Sequence, residues 1–169
     1  MLPDWEAPYL QSLIRTVEGQ SKATLVGWCA NYAERWLLPI YETTYPSDLR
    51  PRKALQAAQD WLAGTIKLPE AKTHILACHA AARESEGAPA AQAAARAIGQ
   101  AASTIHATTH CAGLALYGAL AEAYDSLGPD ADWPALEQAA AQACGRMEQA
   151  LSAVAIENEP NPAKLNWKC

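Results

Sequence analysis

Phenylalanine is missing from this 169-residue chain, and valine occurs only three times. Strands favour β-branched and aromatic residues, so an all-β domain is excluded and an α/β domain is disfavoured. No apolar run approaches the ~20 residues that span a bilayer, which argues against a membrane protein. The segment Met1-Leu2-Pro3-Asp4-Trp5-Glu6 carries acids where a signal peptide has basic residues followed by an apolar run. We therefore expect a soluble, cytoplasmic protein. Closely spaced cysteines are also lacking. Cys29, Cys78, Cys111, Cys144 and Cys169 are odd in number and far apart, with no C-x-x-C pair. That excludes a disulfide framework or structural zinc site. Four of the five lie in helical segments, where cysteine serves as a small buried hydrophobe. Basic residues are few and scattered: 13 Lys and Arg against 18 Asp and Glu, for a net charge of −5. A nucleic-acid binder carries a basic patch or stripe, so DNA and RNA are poor partners.

What is abundant is alanine, about a fifth of the chain, and leucine, which outnumbers isoleucine and valine together. Both are strong helix formers. Tyr9 to Glu18 reads as a short amphipathic helix that stops at Gly19. Ser21 is a suitable N-cap for a second helix. Leu25, Trp28, Cys29, Tyr32 and Trp36 recur there at helical spacing and predict one apolar face. Pro39 falls late in the pattern and is expected to kink or end that helix. Pro51, Pro69, Pro89 and Pro134 each sit where a helix would open. Ala54, Leu55, Ala58, Trp61 and Leu62 form the predicted inner face of one helix, and Ile75, Cys78, His79 and Ala82 that of the next. Gly64 and Gly128 are natural stops. The alanine-rich stretch from Pro89 to Leu127 would make a ~60 Å helix at 1.5 Å per residue, too long for a compact domain of this size, so a break is expected between Gln100 and Thr109. The last helix is expected over Pro134 to Glu157, followed by a non-helical tail, 158–169, with Leu165 and Trp167 packed against the body. The fold class that follows is all-α: a compact single-domain bundle of about five to seven helices spanning 1–169, with mostly antiparallel neighbours. Alanine lets helix axes approach closely, leaving the large side chains, the six Trp among them, to carry much of the burial.

Three groups of side chains are candidates for chemistry. His106 and His110, four apart on a predicted helix, share a face and suit two ligands of one metal, with His79 or Cys78 as a third. No H-E-x-x-H motif and no nearby carboxylate supports them, and histidines hydrogen-bonded within a bundle are the default reading. Asp48, Arg50 and Arg52 flank a helix start. Capping and ion pairing explain them; an arginine pair for an acidic ligand is the functional alternative. Arg83 shares a face with His79 and would need an acidic partner if buried. No nucleophile elbow, phosphate-cradling glycine loop or glycosidase-type acid pair occurs. No cofactor is expected.

The run Cys29-Ala30…Ala33-Glu34-Arg35…Leu38-Pro39-Ile40-Tyr41-Glu42 is followed by Asp48-Leu49-Arg50-Pro51-Arg52-Lys53-Ala54-Leu55. Next come Gly64, His79-Ala80-Ala81-Ala82-Arg83 and Ala94-Ala95-Arg96-Ala97-Ile98-Gly99-Gln100. His106 and His110-Cys111-Ala112-Gly113 complete the pattern. It resembles the bacterial putative immunity proteins with an immunity-protein-five-like domain, over about residues 25–125; the last ~45 residues are not placed in it. The resemblance implies an α-helical bacterial protein of a toxin–immunity system that binds and neutralises a cognate protein toxin without catalysis. It also implies that Arg50, Arg52, His79, Arg83, His106 and His110 are family positions. The acidic balance would steer such a protein to a basic toxin, such as a nuclease. Two rivals stand beside this reading. One is a metal-binding protein or metal-dependent enzyme using His79, His106 and His110. The other is a self-associating helical protein, for instance a homodimer, without a dedicated ligand.

Overall fold

A computed structural model describes residues 1–167; Lys168 and the fifth cysteine, Cys169, lie outside the described residues. The described chain is all-α. Its helices are α1 (Pro8–Glu18), α2 (Lys22–Tyr32), α3 (Leu38–Thr44), α4 (Arg50–Leu62), α5 (Leu68–Glu84), α6 (Pro89–Ser103), α7 (Cys111–Leu127) and α8 (Trp133–Ser152). A π-helical turn, Ala33–Leu37, joins α2 to α3, and a short 3-10 turn, Thr108–His110, leads into α7. Counting α2, the π turn and α3 as one rod gives seven among the described residues, the upper end of the expected number.

Proline and small polar residues set the starts. Proline stands in the first turn of α1, α4, α5, α6 and α8, where its missing N–H has no partner to lose. Ser21 caps α2 by accepting from the Thr24 N–H at 3.2 Å. Asp132 caps α8 by accepting from the Ala135 N–H at 2.8 Å. Gly64 and Gly128, with φ of 76° and 83°, take the left-handed conformation that stops α4 and α7.

Helix α6 lies at the centre. Ten of its fifteen residues are buried, seven of them alanine, so the flanking helices come close on several sides. It packs most extensively on α7, then on α5, α3 and α4, while α8 covers α7 and α1 covers α8. The expected break in the alanine-rich stretch falls at Thr104–Ala107, between α6 and the 3-10 turn.

The large side chains of the core are mostly leucine, isoleucine and tyrosine; of the six Trp only Trp28 is buried. The structure corrects four expectations. Pro39 does not end the rod. The π turn absorbs it, with the Leu38 N–H reaching five residues back to the Ala33 carbonyl. That turn also shifts the helical register, so Trp36 leaves the apolar face and is 39% exposed. Leu62, near the end of α4, is likewise 40% exposed. Finally, α8 ends at Ser152 and not Glu157.

The tail is ordered by contacts with the α1–α2 connection. The Ala163 N–H donates to the Gln20 carbonyl at 2.8 Å. Glu159 accepts from the Ser21 N–H and from the Thr24 hydroxyl. Trp167 donates to Glu18 at 2.9 Å and packs on Trp5 with ring centroids 5.6 Å apart. Leu165 and Trp167 both lie against the core, as expected.

Candidate functional site

The predicted site residues separate into two places. At the junction of α3 and α4, Asp48 is the hub of a hydrogen-bonded cluster. Its Oδ1 accepts from the Arg50 backbone N–H at 3.0 Å, so it supports the start of α4. The Arg50 guanidinium donates to both Asp48 oxygens, with Nη2 2.7 Å from Oδ2, and its Nη2 also reaches Glu84 at 2.6 Å. The Tyr41 hydroxyl donates to Asp48 Oδ2 at 2.6 Å. These bonds hold the Asp48 carboxyl down at about 2, Arg50 contributing most. Burial, and then the bond to Asp48, push the Tyr41 phenol up to about 12. Arg52 makes a two-pronged pair with Glu42, at 2.9 and 2.8 Å. Asp48, Arg50 and Arg52 are therefore engaged within the chain, tying α3, α4 and the end of α5 together.

Arg83 belongs elsewhere. It lines a cleft of about 220 Å3 with His79, Ala82, Arg96, Gln100 and Tyr117, walled by α5, α6 and α7. His79 and Arg83 are one turn apart on α5, and Arg96 and Gln100 one turn apart on α6. Tyr117 comes from α7, with the Arg96 guanidinium 6.0 Å from its ring centroid. The Gln100 Oε1 lies 2.7 Å from His110 Nδ1, which places the His110 proton on Nδ1. Burial lowers the pKa of His79, and His110 and Arg83 lower it further. Burial is also what lowers His106 first and His110.

Two glycines make room for these side chains. A Cβ on Gly99 would lie 2.6 Å from His79 Cε1, and a Cβ on Gly113 would lie 2.5 Å from Gln100 Cγ. Alanine is the better helix former at both positions. Both helices thus give up helix propensity where the imidazole and the amide sit.

The histidines are arranged differently from the helical i, i+4 pair that the spacing predicts. His106 lies in the turn after α6 and His110 in the 3-10 turn, because the chain breaks between them. Their rings still meet edge to face, with centroids 5.1 Å apart. His79 Nε2 is 3.5 Å from the Ser103 hydroxyl. Among the described residues no three His, Cys, Asp or Glu side chains are grouped to hold a metal ion.

A second cleft, about 410 Å3, opens beside the π turn and was not anticipated from the sequence. Glu122, on α7, is 9% exposed and accepts from the Tyr32 hydroxyl at 2.7 Å and from Arg146 Nη2 at 2.6 Å. Arg146 Nε is buried with no hydrogen-bond partner. Two guanidiniums approach the Trp36 ring, Arg35 at 5.4 Å and Arg146 at 5.7 Å from its centroid. The only signal in the sequence was Pro39 within a helical pattern.

The model of one protein family, described as Imm-5 like putative immunity protein, matches residues 15–150. The chain belongs to this family. The match reaches past the 25–125 of the resemblance, so the immunity-protein domain takes in the last turn of α1 and nearly all of α8. It therefore contains Asp48, Arg50, Arg52 and every residue of both clefts. No curated protein and no solved structure matches the chain.

Proposed function

We propose that this immunity-family protein binds a cognate toxin and neutralises it by occupying its surface, without catalysis, in the cytoplasm of a bacterium. The family match over residues 15–150 is the observation that carries this reading. The state of the thiols supports the non-catalytic part. Burial pushes Cys78, Cys111 and Cys144 up to about 12, and Cys29 well above its usual value, so all four stay protonated and unreactive near neutral pH. Net charge of −5 favours encounter with a basic toxin.

The reading places Trp36 at the contact. Trp and Arg are enriched among residues that dominate binding energy, and Trp36 is presented at the surface with Arg35 and Arg146 against it. The test is co-expression with the toxin encoded beside the gene. Rescue of growth and a co-purifying complex are expected, with Trp36→Ala weakening the complex by more than tenfold. A toxin that remains active and unbound contradicts the proposal.

A further inference from the structure

The cleft between α5, α6 and α7 has the makings of a ligand site that is separate from toxin contact. Its walls carry two guanidiniums, an imidazole, a carboxamide and a phenol, and no carboxylate. Elsewhere the chain pairs its engaged arginines: Arg50 with Asp48 and Glu84, Arg52 with Glu42, Arg146 with Glu122. Among the described residues Arg83 and Arg96 make no ion pair. The acid next to Arg83 in the chain, Glu84, is held by Arg50 instead. In a protein of net charge −5, two such arginines facing one cleft leave a local positive potential that Glu84, bonded to Arg50, answers only in part.

The cleft is also built. Gly99 and Gly113 remove the methyl groups that would collide with His79 and Gln100. The His110 bond takes up the Gln100 Oε1, so the amide N–H2 of Gln100 remains a donor. The Arg96 guanidinium is steadied over the Tyr117 ring. Ser103, which donates to the Gly99 carbonyl at 2.7 Å, stands 3.5 Å from His79. At about 220 Å3 the space is below the ~300–1,000 Å3 of sites for drug-sized ligands, so it suits one functional group and not a whole molecule.

The geometry points to a phosphate-class oxyanion as the ligand of this cleft, held by Arg83 and Arg96 with Gln100, Tyr117 and His79 completing its donors. Arginine forks match phosphate oxygens in two-pronged geometry. A carboxylate offers two oxygens, fewer than this set of donors can use, whereas a phosphate offers three or four.

The inference stands apart from the toxin reading and is tested on the purified chain alone. Inorganic phosphate is titrated at constant ionic strength, with binding followed by calorimetry and by the side-chain N–H resonances of arginine and glutamine. Saturable binding is expected, with Arg83→Gln and Arg96→Gln each weakening it at least tenfold. Arg15→Gln, on α1 and outside both clefts, should leave it unchanged. Phenyl phosphate is run in parallel: tighter binding than phosphate would assign a group carried on a larger molecule, and equal or weaker binding the free ion. Both outcomes uphold the site. It is overturned if phosphate does not saturate, if acetate binds as well, or if the Arg15 variant loses as much as the cleft variants.

Discussion

The α3–α4 junction and the α5–α6–α7 cleft both present arginines, yet they use them in opposite ways. At the junction each guanidinium has a carboxylate within 2.9 Å. In the cleft two guanidiniums share a wall with neutral hydrogen-bonding groups and no carboxylate. Side-chain type alone does not separate these roles; the presence of a partner inside the chain does. The junction spends its charge on joining helices, and the cleft keeps its charge available.

The largest effect should come from the most buried of the paired arginine sites, Glu122–Arg146. Arg146→Met leaves the Glu122 carboxylate buried, with only the Tyr32 hydroxyl as donor. A loss of about 3 kcal/mol is expected in chemical denaturation, the low end for a broken buried pair because Arg146 is partly exposed. A loss under ~1 kcal/mol would mean that the pair does not hold α7 to α8.

Next comes the room made for the cleft. Gly113→Ala would force Gln100 aside, since both its Cβ and Cγ are in the way. We expect about 2 kcal/mol of destabilisation, typical of overpacking. Gly145→Ala, where a Cβ meets nothing within 4 Å, should instead stabilise α8 by about 0.5–1 kcal/mol. Equal effects at the two positions would remove the case for a built cleft.

A smaller change is expected at the junction. Asp48→Asn weakens charged hydrogen bonds and should cost about 1.5 kcal/mol. Because folding lowers the Asp48 carboxyl from 3.8 to about 2, its contribution is complete above pH ~4 and is lost as the pH falls towards 2. Stability measured from pH 5 to 2 should therefore drop more steeply in the parent protein than in the variant. Smallest of all, Arg83→Gln and Arg96→Gln should change stability by no more than about 0.5 kcal/mol, as exposed side chains outside any ion pair do.

Much of this was legible before the structure. The proline starts, the cap at Ser21, the stops at Gly64 and Gly128 and the break after Gln100 all follow from local backbone chemistry. So did the structural reading of Asp48 and Arg50, because their partners are near in sequence or at the end of one neighbouring helix. The π turn was hidden, since an insertion into the hydrogen-bond ladder has no residue signature beyond Pro39. The register of Trp36 was lost with it. The cleft was hidden for another reason. His79/Arg83 and Arg96/Gln100 are visible as one-turn pairs, but only the packing of α5 on α6 and α6 on α7 brings them together. Gly99 and Gly113 were the available clue: glycine kept inside alanine-rich helices marks a close approach of another group.

Thermal unfolding of two double variants, with and without inorganic phosphate, tests the contrast most directly. Arg50→Gln/Arg52→Gln should lower Tm yet keep the rise that phosphate produces in the parent, because a ligand stabilises only the folded chain that holds it. Arg83→Gln/Arg96→Gln should keep the parent Tm and lose that rise. The account is contradicted if the cleft variant unfolds as early as the junction variant, or if phosphate still raises its Tm.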